Sequence, residues 1–372
     1  MRITAVQTIV VNVSPFTNWT FVRLETDDGI AGVGEATLIG FEPAVASLVG
    51  EIGAPLVGRN PLEAGPLHMT QGGHIAAAAL SGLEQALWDI RGKAHGVPVH
   101  RLLGGGRPAV PVYANINRGT RDRSPRGVGA RAEEAVSAGF GAVKFAPFDE
   151  YLWWEAAGRR DLLEPGIRRV EAIRETVGPR VAVKVDCHWR FDVPAAIEVG
   201  RRLAALDLAW YEAPVSERDP DAVREVREQT GLRIAGGELQ TSLLDYRRLL
   251  EARCMDVLMP DVKYVGGIQG VLKVATLAEA FGASIAPHNP SGPVATAATL
   301  HAAAVLPNLM TVEYQFAEVE WYWDLVQVEF AVKDGHMQVP QSPGLGVNFD
   351  MALAAKYPYQ PVRHMQDPRL FV

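Results

Sequence analysis

The 372-residue sequence has only two cysteines, no long apolar run and no recognisable targeting segment. Cys187 and Cys254 each lie beside a predicted strand, which favours two reduced, buried thiols over a disulfide. No uninterrupted apolar run approaches about 18 residues, so a membrane span is not expected. Residues 1–13 alternate β-branched and polar side chains without a basic start or a cleavage site, which predicts a strand rather than a signal peptide. We therefore expect a cytoplasmic protein.

An excess of positive charge is also missing. The sequence has 43 acidic residues against 36 Lys and Arg residues, which gives a net charge of −7. Because clustered cations bind a phosphate backbone, this balance argues against a nucleic-acid partner. A small anionic substrate would have to be held by local cations or by a metal ion. The length suits two domains, and the 48% hydrophobic content is ample for a large core.

Six apolar segments between residues 181 and 313 each end in a charged or titratable side chain. The first, residues 181–185, is followed by Asp186, which on an extended strand shares its face with Lys184 and His188. The five later segments end in Glu212, Glu238, Asp261, His288 and Glu313. Helix-like segments separate them. A strand and a helix repeated roughly every 25 residues predict βα units around a parallel sheet.

This repeat predicts an α/β protein built on a (β/α)8 TIM-type barrel, whose active face collects the carboxyl ends of the strands. Residues 110–116 and 141–147 supply the two further strands that complete the eight. Upstream, strands joined by an Asp28-Gly29 turn precede helical segments, which predicts an N-terminal α+β capping domain. The predicted parts are a capping domain at 1–108, the barrel at 109–330, and a C-terminal segment at 331–372 that packs back on the capping domain.

Asp186, Glu212 and Glu238 end three successive strands, which would be neighbours in a barrel. Three converging carboxylates cannot all stay ionised without a cation. Hard oxygen ligands, with no paired-histidine or cysteine motif, favour Mg²⁺ over zinc. A single acid at a strand end is more often a helix cap, but the three together predict a magnesium site.

The remaining strand ends predict proton-transfer groups. His288 with Asp261 would form a general base, because a carboxylate on one imidazole nitrogen raises the basicity of the other. His188 could donate a proton, bind the metal or only bind substrate hydroxyls, and we favour the proton donor. Glu313 could hydrogen-bond a substrate carboxylate when protonated, or act as a ligand, and Lys144 could balance a carboxylate's charge. Such a site suits removal of a proton beside a carboxylate.

Several stretches together point to a known family. They are residues 79–93, 259–268, 286–301 and 342–347, and the motifs that contain the three predicted metal ligands. Over essentially its whole length the chain resembles the enolase superfamily, mandelate racemase subgroup, and within it most resembles acid-sugar dehydratases of the D-galactonate dehydratase type. The resemblance implies an enolase-like modified barrel and a homo-oligomer, from dimer to octamer.

The resemblance also implies a role for each candidate residue. Asp186, Glu212 and Glu238 would be the Mg²⁺ ligands. His288 and Asp261 would be the base dyad, Glu313 the acid near the substrate carboxylate, and His188 the acid that expels the 3-hydroxyl. One departure is informative, because the second strand reads Lys144, Phe145, Ala146 where racemases and several relatives have Lys-x-Lys. The second lysine is a base on the opposite face, so its absence disfavours two-base racemisation.

The leading hypothesis is therefore a Mg²⁺-dependent dehydratase of an aldonate-type sugar acid, giving a 2-keto-3-deoxy acid. One alternative is an epimerase, racemase or cycloisomerase that acts on a hydroxy acid or sugar lactone through the same enediolate. A non-catalytic sugar-acid binding protein is the other, although binding alone needs no paired base. Tryptophans in residues 14–20, 148–166 and 318–324 could be substrate walls or packing.

Overall fold

The computed structural model describes residues 1–67, 73–154, 159–328 and 330–362. Parts of the predicted C-terminal segment (363–372) and of the loop after the second barrel strand (155–158) lie outside the described residues. Within the described part, a three-stranded sheet with two long helices precedes an eight-stranded parallel barrel. None of the described helices is long and apolar enough to cross a membrane.

The N-terminal sheet is antiparallel, in the order β1 (Ile3–Ser14), β2 (Thr17–Thr26), β3 (Ala31–Glu35). The predicted Asp28-Gly29 turn joins β2 to β3. Helices α1 (Glu42–Gly53) and α2 (Gly73–Ala94) pack on this sheet around a core of aliphatic side chains. The short helix α3 (Val99–Leu102) leads to the barrel.

The barrel alternates strands and helices as the repeat predicts. Its strands are β4 (Ala109–Asn115), β5 (Ala142–Phe145), β6 (Ala182–Asp186), β7 (Leu208–Glu212), β8 (Ile234–Gly236), β9 (Val257–Leu258), β10 (Ser284–Ile285) and β11 (Val312–Gln315). Its helices are α4 (Pro125–Ser137), α5 (Leu163–Val177), α6 (Val193–Leu203), α7 (Pro220–Thr230), α8 (Leu243–Glu251), α9 (Gly267–Ala280) and α10 (Pro293–Ala304). Single 3₁₀ turns cover Ala54–Leu56, Arg160–Leu162, Ala204–Leu206 and Asp324–Val326.

Hydrogen bonds close the barrel. Strands β4 to β10 pair in sequence order, and β11 pairs in parallel with β4. The segment just before β11 pairs with β10, since the Ile285 N–H donates to the Asn308 carbonyl (2.9 Å) and the Met310 N–H donates to the Ile285 carbonyl (2.7 Å). The predicted barrel architecture is therefore confirmed.

Strands β9 and β10 are shorter than the sequence pattern predicts. Each has two residues, so Asp261 and His288 each lie three residues beyond the strand that carries them. Pro260 and Pro287 stand directly before these two side chains. Because proline has no N–H to continue a ladder, the pairing stops early and the functional residues lie on the loops that follow.

The chain after the barrel returns to both parts of the molecule. Strand β13 (His336–Gln338) pairs with β12 (Val332–Lys333) and antiparallel with β4. Helix α11 (Met351–Ala354) follows, and the Asn12 N–H of β1 then donates to the Tyr357 carbonyl (2.8 Å). The domain division at residues 108 and 330 stays a prediction.

Helix α2 holds the barrel through buried carboxylates. Glu84 accepts hydrogen bonds from the backbone N–H groups of Ile268 (2.8 Å) and Gln269 (3.1 Å) at the start of α9. Asp89, farther along α2, accepts one from the Leu345 N–H (2.8 Å) of the C-terminal return. Burial raises the pKa of Glu84 to about 7, although these hydrogen bonds oppose the rise.

Candidate active site

A cavity of about 250 Å³ lies at the carboxyl ends of the barrel strands. Asp186, Glu238 and His288 line it from the barrel, and Thr37 and Ile39 line it from the loop after β3. This is the face at which barrel enzymes place their chemistry, because the loops after the strands converge there. The cavity therefore brings together predicted residues from distant parts of the sequence.

The three predicted metal ligands meet beside this cavity. Each of Asp186, Glu212 and Glu238 is buried, and one carboxylate oxygen from each lies within 4.8 Å of the others. Asp186 and Glu212 end neighbouring strands in register, and Glu238 follows β8 by two residues. Oε2 of Glu238 accepts no hydrogen bond from any residue that the structure describes. Burial and the Asp186 carboxylate raise the pKa of Glu212 well above its usual range.

Lys144 lies beneath the acidic trio and balances part of its charge. Its Nζ is 2.6 Å from Glu212 Oε1, 3.0 Å from Glu313 Oε1 and 3.4 Å from Asp186 Oδ2. Burial alone would lower the pKa of Lys144, but the Glu212 and Glu313 carboxylates outweigh it and raise that pKa well above the usual value. This lysine is therefore fixed by three carboxylates.

Glu313 is surrounded by hydrogen-bond donors. The side chain of Asn115 donates to its Oε1 (2.7 Å), and the backbone N–H of Asn289 donates to its Oε2 (2.9 Å). Burial raises the pKa of Glu313, but Lys144 and His288 outweigh burial and lower it. Sequence reasoning missed Asn115 and Asn289, because neither belongs to a spaced pattern of titratable residues.

His288 and Asp261 form the predicted pair. Nδ1 of His288 is 2.8 Å from Asp261 Oδ2, and its Nε2 is 3.5 Å from Glu238 Oε2. Burial lowers the pKa of His288, but the Glu238 carboxylate and the bond to Asp261 outweigh it and raise that pKa. Lys263 lies 2.6 Å from the same Asp261 oxygen, a partner that the sequence pattern did not reveal.

His188 lies on the Asp186 side of the trio. Its Nε2 is 3.1 Å from Asp186 Oδ2, and its Nδ1 is 2.8 Å from Oδ1 of Asp149, in the loop after β5. Simple strand alternation does not place this ring, because β6 ends at Asp186 and His188 has a φ of +45°. The turn nevertheless keeps His188 beside Asp186. Sequence reasoning missed Asp149, which stands in a loop without a motif.

The loop from the N-terminal sheet is anchored over the cavity by Glu35. This buried carboxylate accepts hydrogen bonds from the backbone N–H groups of Gly292 (2.8 Å) and Ala295 (2.9 Å) at the start of α10. It also accepts one from the Thr37 hydroxyl (2.9 Å). Thr37 and Ile39 line the cavity from this loop. They therefore lie close to a residue, Glu35, whose position is fixed by hydrogen bonds to α10.

The tryptophans of residues 14–20, 148–166 and 318–324 do not line the cavity. Trp321 stacks on Tyr357 with ring centroids 4.3 Å apart, and Trp323 lies against Tyr322 at 4.7 Å. Trp153 and Trp154 are both exposed and contact each other. No tryptophan in the described ranges lines the cavity. Trp321 and Trp323 therefore pack against other aromatic side chains.

The sequence also matches two family descriptions. Residues 127–353 match the family described as Enolase C-terminal domain-like. Residues 4–104 match the family described as Mandelate racemase / muconate lactonizing enzyme, N-terminal domain. Together these matches cover both the N-terminal sheet with its helices and nearly all of the barrel.

Individual proteins are similar over almost the whole chain. A D-xylonate dehydratase from Haloferax volcanii is 35% identical over 90% of this chain and 84% of its own length. A D-galactonate dehydratase from Ralstonia nicotianae is 35% identical, and the alignment covers 90% of each chain. The solved structure of a mandelate racemase/muconate lactonizing enzyme from a Jannaschia species is 29% identical, with a TM-score of 0.87, over 97% of this chain and 98% of that chain.

Proposed function

Because the chain belongs to the enolase superfamily, in its mandelate racemase / muconate lactonizing enzyme group, we propose that it is a Mg²⁺-dependent dehydratase of a sugar acid. The observation that carries the proposal is the placement of two imidazoles around one acidic trio. His288 Nε2 is 3.5 Å from Glu238, and His188 Nε2 is 3.1 Å from Asp186. A base and a separate acid are what elimination of water requires.

The donor set fits a magnesium ion. Asp186, Glu212 and Glu238 would hold it, since all three offer hard carboxylate oxygens within a few ångströms. Oε2 of Glu238 is buried and accepts no hydrogen bond from the described residues, which supports this assignment, because a buried anionic oxygen is costly without a cation or donor. When bound, Mg²⁺ would supply electrostatic stabilisation of negative charge that develops on the substrate carboxylate.

His288 would remove the proton at C2 of the sugar acid. Asp261 accepts a hydrogen bond from Nδ1, so the ring keeps the proton there and presents Nε2 as the base. The backbone N–H and the side-chain ammonium of Lys263 both donate hydrogen bonds to Asp261. These bonds fix the carboxylate that orients the base. Glu313, held by Asn115 and the Asn289 N–H, would lie near the substrate carboxylate.

His188 would then give a proton to the departing 3-hydroxyl. The electron pair of the former C2–H bond would form the C2–C3 double bond, and the C3–O pair would leave with the oxygen as water. The resulting enol would tautomerise to a 2-keto-3-deoxy acid. Lys144 would keep the charge balance of Glu212 and Glu313, and Ala146 stands where racemases carry the second, basic lysine.

The curated relatives support the choice of substrate class. Those compared above are named for D-xylonate and D-galactonate, a C5 and a C6 aldonate. We propose an aldonate of this kind for the present chain. The cytoplasmic location and the homo-oligomeric assembly expected from the sequence stay predictions.

A panel of C4 to C6 sugar mono- and diacids tests the proposal. Purified protein with MgCl₂ should release a 2-keto acid, read by semicarbazide absorbance, from at least one aldonate, and EDTA should abolish the signal. A blank panel would contradict dehydration. Repeating that panel in deuterated water would then detect C2 exchange without keto acid, the signature of epimerisation or cycloisomerisation.

A further inference from the structure

Asp149 is a second carboxylate on the proton-donor histidine. Its Oδ1 lies 2.8 Å from Nδ1 of His188, on the ring edge opposite the nitrogen that faces Asp186. Asp149 belongs to the loop after β5, whereas His188 follows β6. The contact therefore links two loops at the cavity mouth, and it repeats the carboxylate–imidazole arrangement of Asp261 and His288.

The backbone at His188 is held in an unfavourable conformation. His188 and Trp189 have φ values of +45° and +56°, a region that non-glycine residues seldom occupy. Each such residue adds backbone strain that the surrounding contacts must offset. The His188 N–H donates to Asp186 (3.0 Å) and the Trp189 N–H donates to the Ala213 carbonyl (2.7 Å), which keeps the turn in place. The turn fixes the Cα of His188, and the side-chain contacts must then fix the ring.

Asp149 is itself well anchored. Its other oxygen, Oδ2, accepts a hydrogen bond from Arg123 (3.1 Å), and Arg123 also donates to the Ala146 carbonyl (2.5 Å). A second guanidinium nitrogen donates to the Asn117 side chain (2.9 Å). Since Arg123 uses one Asp149 oxygen, the other is free to face the imidazole. These contacts of Arg123 fix both the position and the orientation of the Asp149 carboxylate.

We propose that Asp149 is a positioning residue that fixes the His188 ring with Nε2 turned toward the cavity. The inference rests on the proposed dehydration and adds a residue to it. As the C3–O bond breaks, the Nε2 proton passes to the leaving oxygen. The Nδ1 proton stays in its hydrogen bond to Asp149, which remains a carboxylate. Asp149 therefore touches no reacting atom and acts through His188.

The two half-reactions separate this role from a structural one. Removal of the C2 proton needs His288, whereas loss of the hydroxyl needs His188. In deuterated water with MgCl₂ and D-galactonate or D-xylonate, Asp149→Asn should form keto acid about a hundredfold more slowly. Deuterium should still enter C2 of the recovered substrate at a rate within about threefold of wild type, because the His288 side is untouched.

Three further variants complete the experiment. Asp149→Ala should show the same split, and Asp149→Glu should recover part of the elimination rate. Asp161→Asn is the matched control, since Asp161 is an exposed acid in the same connection between β5 and α5 and contacts Arg159 (3.1 Å) rather than Arg123 or His188. It should leave both rates unchanged. An equal fall of both rates in Asp149→Asn, or no fall in either, would overturn the proposal.

A spectroscopic measurement needs no substrate. Imidazole ¹⁵N shifts of the full chain, labelled at histidine, should show a protonated Nδ1 for His188 in wild type and a changed Nδ1 signal in Asp149→Asn, where the carboxylate partner is lost. Unchanged His188 shifts would contradict the positioning role even if no aldonate is turned over. A blank aldonate panel with the expected shifts would instead count only against the proposed substrate class.

Discussion

Two regions of this molecule bury carboxylates, and they treat them in opposite ways. On α2, Glu84 accepts hydrogen bonds from two backbone N–H groups and from the Trp88 indole, so each carboxylate oxygen has a donor. At the barrel mouth, Asp186, Glu212 and Glu238 crowd together, and one oxygen of Glu238 has no donor among the described residues. Carboxylates whose oxygens accept hydrogen bonds join the two parts of the chain. Crowded carboxylates that lack donors are suited to bind a cation.

We expect the largest effect from neutralising one carboxylate of the crowded region. Glu238→Gln should lower keto-acid formation about a thousandfold, roughly 4 kcal/mol, because a metal ligand is lost. The midpoint of thermal unfolding in EDTA should stay the same or rise, since repulsion among buried anions is relieved. Calorimetric titration with MgCl₂ would measure the lost affinity directly.

The control for this variant is the equivalent change at the contact between α2 and α9. Glu84→Gln should lower the unfolding midpoint and leave Mg²⁺ affinity unchanged, because Glu84 contacts α9 and not the cavity. If Glu238→Gln destabilised the metal-free protein as much as Glu84→Gln does, then Glu238 would be a structural residue and the contrast between the regions would fail.

The pH dependence of stability tests the contact of Glu84 between α2 and α9. Burial raises the pKa of Glu84 from its ordinary value of 4.5 to about 7, so the folded protein binds this proton more tightly than the unfolded chain. The resulting stabilisation is complete below about pH 4.5 and is lost as pH rises through about 7.

Urea unfolding at about pH 5 and about pH 8 would measure this loss. Over that interval the free energy of unfolding of wild type should fall by up to about 3 kcal/mol more than that of Glu84→Gln. Groups common to both proteins cancel in the difference. Parallel pH profiles for the two proteins would show that Glu84 titrates normally in the folded state.

A neighbouring pair of glycines tests how closely α9 approaches Glu84. Gly266 and Gly267 both have positive φ, of +91° and +76°. A Cβ on Gly267 would lie 1.9 Å from Glu84 Oε2, whereas one on Gly266 would meet nothing within 4 Å. Gly267→Ala should therefore cost about 2 kcal/mol more than Gly266→Ala in urea unfolding. Equal costs would mean that only backbone strain matters here.

The sequence predicted those parts of the site that repeat with the barrel. Asp186 and Glu212 end hydrogen-bonded strands, so an apolar run followed by an acid locates them directly. Asp261 and His288 were also found, although both lie on loops beyond the paired residues. Their discovery depended on the interval between βα units, which loops of similar length preserve.

Residues that depend on loop conformation could not be predicted. Asp149 reaches His188 only because the loop after β5 folds toward β6, and His188 faces the cavity through a left-handed turn. Asn115 was missed for a different reason, since it ends strand β4 but is neutral, and its partner Glu313 is nearly 200 positions away in the chain. Neither periodicity nor charge spacing carries such information, since both describe neighbours along one element.

The most direct test of the account is the activity of His288→Asn beside wild type, with MgCl₂ and the aldonate that wild type converts fastest. The account predicts that the variant forms no 2-keto acid and exchanges no C2 deuterium, while it binds Mg²⁺ as wild type does. Asparagine cannot accept the C2 proton, but it removes no metal ligand. Keto-acid formation by His288→Asn at a rate near that of wild type would contradict the account, because the proton would then be taken by another group.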